Sequence, residues 1–141
     1  MVEKKDDQLD RMDLAFRYYE EQWTHVRHHE SQRSSLTLQI MVLAVSLGGG
    51  YFEALASSRP LRVGLSILII LLGVTGYRLV QSTQRATDSH IKRAREARES
   101  LGVLEPFAKA AYDFPRIHIY FLAFHALIVV GGLFLLIMTF F

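Results

Sequence analysis

The apolar positions of this chain gather into three blocks, about Leu36 to Ala54, Leu61 to Leu79 and Ile117 to Phe141, with strongly polar stretches before and between them. An α-helix rises about 1.5 Å per residue, so about 20 residues cross the roughly 30 Å hydrocarbon core of a bilayer. Each block comes close to that length, and formal charges such as Glu53 and Arg62 stand near block ends, where a long side chain reaches the interface. Three spanning helices are therefore predicted. A chain of 141 residues is too short to bury three such helices inside a soluble core.

Ahead of the first block the pattern changes. Leu9, Met12, Phe16, Tyr19, Trp23 and Val26 recur at alternating steps of three and four, which is the seam of a coiled-coil helix. Asp6 or Asp7 can cap its start, and neither Pro nor Gly occurs between Val2 and Leu47. The helix is thus expected to run on into the first span and to project below the membrane. Its seam packs on the other cytoplasmic helix of the same chain, or also pairs with other subunits. Flat attachment to the membrane surface is disfavoured, because residues 1–35 hold eight acidic against six basic side chains and anionic headgroups repel that balance.

Ser57-Ser58-Arg59-Pro60 reads as a tight turn between the first two blocks, with proline in a first helical turn that needs no amide donor. In the second block the small residues Gly64, Ser66, Gly73 and Gly76 allow close helix approach in lipid. Past Tyr77-Arg78 the helix is expected to continue to about Ser100. Ile91, Ala94, Ala97, Leu101 and Leu104 then share one side, with Lys92, Arg93, Arg95 and Arg98 toward water. Gly102 and Pro106 break that pattern, and Asp113-Phe114-Pro115 opens the next helix.

The predicted fold class is all-α: an integral membrane helical bundle of three transmembrane helices plus two cytoplasmic helices, long helices extending below the membrane. Its parts form one domain, with a cytoplasmic amphipathic helix over 1–35, a transmembrane hairpin over 36–79, a cytoplasmic helical connection over 80–114 and a third transmembrane helix over 115–141.

Charge orients this plan. Six Lys or Arg precede the first span, Arg59 and Arg62 lie between the first and second, and eight lie from Arg78 to Arg116. The positive-inside bias places the N-terminus and the second connection in the cytoplasm, and the C-terminus on the opposite face of an inner (cell) membrane. No cleavable leader pattern precedes the first block, so that span is expected to be retained. Half of the residues are hydrophobic and none is cysteine, which excludes disulfides, thiolate catalysis and cysteine-bound zinc. The net charge of +2 suits a basic shell attracted to anionic lipid, and no aromatic-basic platform argues for nucleic acid. The expected partners are the lipid bilayer, further copies of the chain and a cytoplasmic protein.

Two seven-residue stripes of polar and small residues cross the apolar blocks. Gln32, Gln39, Ser46 and Glu53 form one, with Ser35 and Gly49 between them; His118, His125, Gly132 and Thr139 form the other. An unsatisfied polar group in hydrocarbon costs several kcal/mol, so both stripes are expected to face protein or a water-filled cavity. One reading is hydrogen bonding within the bundle, with His125 meeting Gln39 or Ser46. The other is an axial polar path lined by repeated copies of one stripe, since three helices alone enclose no pore. The first span is the better lining candidate. The N-terminal seam continues as 30, 33, 37 and 40, two positions from 32, 35, 39 and 42, which is about 200° around a straight helix.

Other chemistry is sparse. His25 and His29 stand four apart beside His28 and Glu30, but a third metal ligand is not evident, and a solvated or pH-responsive histidine cluster is the preferred reading. Neither a metal nor a cofactor is predicted. Gly48-Gly49-Gly50 lies inside a span as a packing or kink site, and no nucleophile with a base, phosphate loop or carboxylate pair argues for an enzyme.

An aromatic and charged N-terminal helix (Tyr18-Tyr19-Glu20-Glu21-Gln22-Trp23), a tight transmembrane hairpin and a basic helix returning below it together resemble small bacterial membrane effectors of the SLATT type. The resemblance covers roughly residues 8 to 105, rests on layout, and departs from the two-span plan by a third span. It implies a pore-forming or membrane-disrupting effector in antiviral defence, triggered by a cytoplasmic partner. The layout is also similar to small three-span bacterial inner-membrane proteins, whose arginine-rich signature is echoed by His28-His29-Glu30-Ser31-Gln32-Arg33. Two functions are therefore expected: a homo-oligomeric channel or effector conducting along Gln39, Ser46 and Glu53, or a non-conducting scaffold or regulatory subunit docking a partner through the seam.

Overall fold

The computed structural model describes residues 3–56, 58–100 and 117–141, and these form three α-helices. Helix α1 spans Glu3–Glu53, α2 spans Arg59–Ser100 and α3 spans Ile117–Met138. All three are long and apolar enough to cross a membrane. The cytoplasmic segments expected as two further helices are not separate elements. The first belongs to the 51 residues of α1 and the second to the 42 residues of α2. The physical reason is the absence of any breaker: the sequence holds neither Pro nor Gly from Val2 to Leu47 or from Tyr77 to Leu101, so the backbone ladder passes each polar boundary uninterrupted. The cap at Asp113-Phe114-Pro115 and the positions of Leu101 and Leu104 lie outside the described residues.

Helix α1 ends in a 3₁₀ turn at Ala54–Ala56, where the Ser58 amide donates to the Ala54 carbonyl. The Ser58 carbonyl then accepts from the Arg62 amide, which makes Ser58 the residue from which α2 starts. Pro60, lacking an amide hydrogen, occupies the first turn at no cost.

The chain divides into two compact units, and α1 and α2 contribute to both. The second unit takes Gln32–Ser82 and Arg116–Phe141. In it α2 buries Ser66, Ile69, Gly73, Gly76 and Val80 at alternating steps of three and four, a seam partly built from absent side chains. A Cβ placed on Gly73 would lie 2.7 Å from Val129 Cγ2 and 2.9 Å from the Val129 backbone nitrogen. One placed on Gly132 of α3 would lie 2.8 Å from Ile70 Cγ1 and 3.0 Å from the Ile70 nitrogen. Helices α2 and α3 thus touch backbone to backbone, and dispersion over that contact is what lipid cannot equally supply. Gly64, although on the same helix, faces open space.

The first unit draws on Met1–Ser31 and Thr83–Pro115. Its described core is Gln22 and Val26 of α1 with Thr87, Ala94 and Ala97 of α2, so the small alanines again set a close helix pair. Along the α1 seam Tyr19 and Trp23 are half-buried and Val26 is buried, whereas Met12 and Phe16 are exposed.

Candidate functional site

Three sets of polar residues stand out against the apolar helices, and the structure treats them differently. In the second unit the α3 stripe turns inward: His125 and Thr139 are buried, Gly132 is covered and His118 is half-buried. His125 Nε2 meets Thr37 Oγ1 of α1 at 3.3 Å, and its ring fits only because Gly76 opposite has no side chain to overlap it. The expected contact with Gln39 or Ser46 is thus replaced by one with Thr37. The sequence signal was available, since Thr37 continues the seam at 30, 33, 37 and 40, and this run is the face that carries the buried Arg33, Thr37 and Ile40. Toward the far end of α3 the Tyr51 hydroxyl donates to the Leu135 carbonyl at 2.9 Å and lies 3.1 Å from Thr139 Oγ1. That closes the other polar end of the stripe.

The α1 stripe turns the other way. Gln32, Gln39, Ser46 and Glu53 are all exposed on the surface of their own unit. Ser46 donates to the Val42 carbonyl at 2.8 Å, one turn back, which satisfies its hydroxyl locally. Gln39 Nε2 reaches Ser35 Oγ at 3.4 Å, a long contact that uses one of the amide's two N–H donors. A primary amide three residues inside the start of the first apolar block therefore faces outward, with Ser35 as its contact.

The third set is in the first unit, where sequence reading found only His25, His28 and His29. His90 of α2 joins them: its ring stacks on His25 with centroids 4.9 Å apart and lies 5.5 Å from His29. The Gln22 amide carbonyl accepts from His90 Nδ1–H at 2.7 Å, and His25 Nε2 stands 3.8 Å from Glu21 Oε1. Burial, followed by the neighbouring His25, His29 and Arg93, holds the His90 imidazole below its ordinary pKa. The signal for His90 was its place on the α2 seam, ten residues past Val80 and four before Ala94. Among the described residues no group of three His, Asp or Glu stands close enough to hold a metal.

No family model, curated protein or solved structure matches this chain. The chemistry of these sets is therefore read from the residues alone. The inner stripe ties helices together, the histidine group packs α1 against α2 around His90, and the outer stripe presents hydrogen-bonding groups to whatever surrounds the second unit.

Proposed function

We propose that this chain is a homo-oligomeric protein of the bacterial inner membrane, a pore-forming effector whose copies gather with the polar face of α1 around a common axis. The observation that carries this reading is the outward exposure of Gln39 and Ser46 on a helix apolar enough to cross a membrane. A primary amide left facing acyl chains costs several kcal/mol, and a ring of copies removes that cost by giving each amide either a neighbour or water. Gly49 on the same face lets the copies approach, and Glu53 at its end supplies a ring of carboxylates that draws cations. The distribution of Lys and Arg supports a cytoplasmic position for the first unit, which then acts as the control element.

The test is release of a small dye from liposomes reconstituted with the pure protein. Leakage is expected, and Gln39→Leu with Ser46→Leu is expected to abolish it. Tight liposomes that hold assembled wild-type protein would contradict the reading.

A second reading rests on a different observation: Leu14 is 71 % exposed and Phe16 53 % exposed on the N-terminal part of α1, a large apolar surface for a helix outside the apolar blocks. It supports a non-conducting scaffold that docks a cytoplasmic protein. A stable complex that survives the Gln39 and Ser46 substitutions but is lost with Phe16→Ala and Trp23→Ala would favour it.

A further inference from the structure

Within the second unit, α1 and α3 do not close completely on each other. A groove of about 380 Å³ runs between them, floored by Ile69 and bordered by Ala44, Gly48, Phe124, Gly131 and Phe134. Every residue lining it is apolar, and a Cβ added at Gly48 or Gly131 meets nothing within 4 Å. The groove therefore exists because two facing helices lack side chains at these positions.

We propose that this groove is a phospholipid site, with one acyl chain lying between α1 and α3 and the lipid phosphate held by Arg59. The lining offers no hydrogen-bonding group, so an occupant with polar atoms inside the groove would forfeit their partners. Both walls belong to helices apolar enough to cross a membrane, which makes acyl chain the surrounding medium. Size separates a lipid tail from a second copy of the chain. A helix with side chains is about 10 Å across and rises about 5.4 Å per turn, so one turn fills roughly 400 Å³ and the groove cannot take a helix. A flexible hydrocarbon chain fits without demanding complementary knobs.

Charge fixes the direction of the lipid. The groove runs from Met41 and Phe124 to Phe52 and Leu135. At the latter end Arg59 begins α2 and lays its guanidinium over the Phe140 ring, 4.6 Å from the centroid. Arg62, one turn on, is half-buried and has an Nε hydrogen without a partner among the described residues. Neither arginine lines the groove, but both open α2, whose Ile69 floors it, and Arg59 stands on Phe140, five residues past the lining Leu135; two cations beyond that end suit a phosphate above a tail. The site is offset from the assembly face proposed above: Gly48 and Ala44 each lie two positions from Ser46, about 200° around α1, with Val45 and Phe52 at the border between the two.

The test is native mass spectrometry of the full chain released from detergent, with phosphatidylglycerol added to delipidated protein. Wild-type protein is expected to retain one lipid per chain through activation that strips detergent. Gly48→Leu and Gly131→Leu fill the groove and, displacing two or more methylenes, are expected to weaken retention about tenfold. Both positions are open, so the variants should fold; Gly64→Leu, also open but on α2, controls for added bulk and should retain lipid. Arg59→Gln should weaken retention while leaving the groove intact. Equal retention by wild type and both filled variants would overturn the proposal. So would loss of a chain-to-chain complex in the filled variants with lipid unchanged, which would assign the groove to another copy. Dye release does not enter this readout, so the pore and the lipid site can fail separately.

Discussion

Replacing Gly73 with alanine adds one methyl group where α2 and α3 have no space for it. The new Cβ would stand 2.7 Å from Val129 Cγ2, 2.9 Å from the Val129 nitrogen and 3.0 Å from the His125 carbonyl oxygen. Ordinary carbon contacts lie at about 3.5 to 4.0 Å, so the helices must separate by roughly half an ångström or more. Two of the three neighbours are backbone atoms, which no rotamer change can move. Overpacking of this kind costs about 1–3 kcal/mol, while alanine recovers up to about 1 kcal/mol of helix propensity over glycine. With the full propensity gain the expected net change is a loss of about 0–2 kcal/mol against wild type, and of about 1–3 kcal/mol against a glycine-to-alanine change that adds no clash. Gly131→Ala is the internal control, since its Cβ meets nothing within 4 Å and only the propensity gain remains. Unfolding by titration of sodium dodecyl sulfate into mild-detergent micelles, followed by far-ultraviolet circular dichroism, measures both. Gly73→Ala as stable as Gly131→Ala would refute the backbone-to-backbone contact.

Two further outcomes follow from the polar sets. Thr37→Val removes the partner of His125 Nε2 and is expected to cost about 1 kcal/mol in the same titration, whereas Thr37→Val with His125→Leu, which removes both polar groups, should recover much of that loss. For His90, whose pKa in the folded unit lies below its ordinary value, the unfolded chain binds more protons at mildly acidic pH, so stability is full above about 6.5 and falls as pH drops through the window below it. Hydrogen exchange of the α1 amides around Gln22 to His29, corrected for intrinsic rate, should therefore show faster opening at about pH 5.5 than at about pH 7.5. His90→Gln should remove most of that difference; an unchanged pH dependence would place the proton-sensitive group elsewhere.

The helices were legible because apolarity over some 20 residues has a single structural outlet, and because Pro60, Gly102, Pro106 and Pro115 all stand between the apolar blocks, where polar patterning also changes. Continuity was readable from the same absence of breakers: a polar boundary at residue 35 or 80 alters the solvent of a helix without ending its hydrogen-bond ladder, so the two cytoplasmic helices counted separately are continuations of α1 and α2. The seam from Tyr19 through Val26 to Ile40 was readable from its three-and-four spacing. Met12 and Phe16 share that spacing and are nevertheless exposed, since periodicity marks a face but cannot say how far the covering helix extends. The sidedness of the polar residues was the least legible feature. His125 and Gln39 are both polar residues in apolar blocks, yet one is fully buried and the other exposed: His125 lies on the face of α3 that meets Gly76, and the face of α1 that meets His125 carries Thr37 rather than Gln39.

The account turns on copies of this chain meeting through the outward polar face of α1. The sequence has no cysteine, so a single introduced cysteine reports only on itself. Gln39→Cys and Ser46→Cys, oxidised in native membranes, are predicted to form disulfide-linked dimers in high yield, while Leu127→Cys, exposed on α3, stays monomeric. Dimers at Leu127→Cys with none at positions 39 and 46 would contradict it.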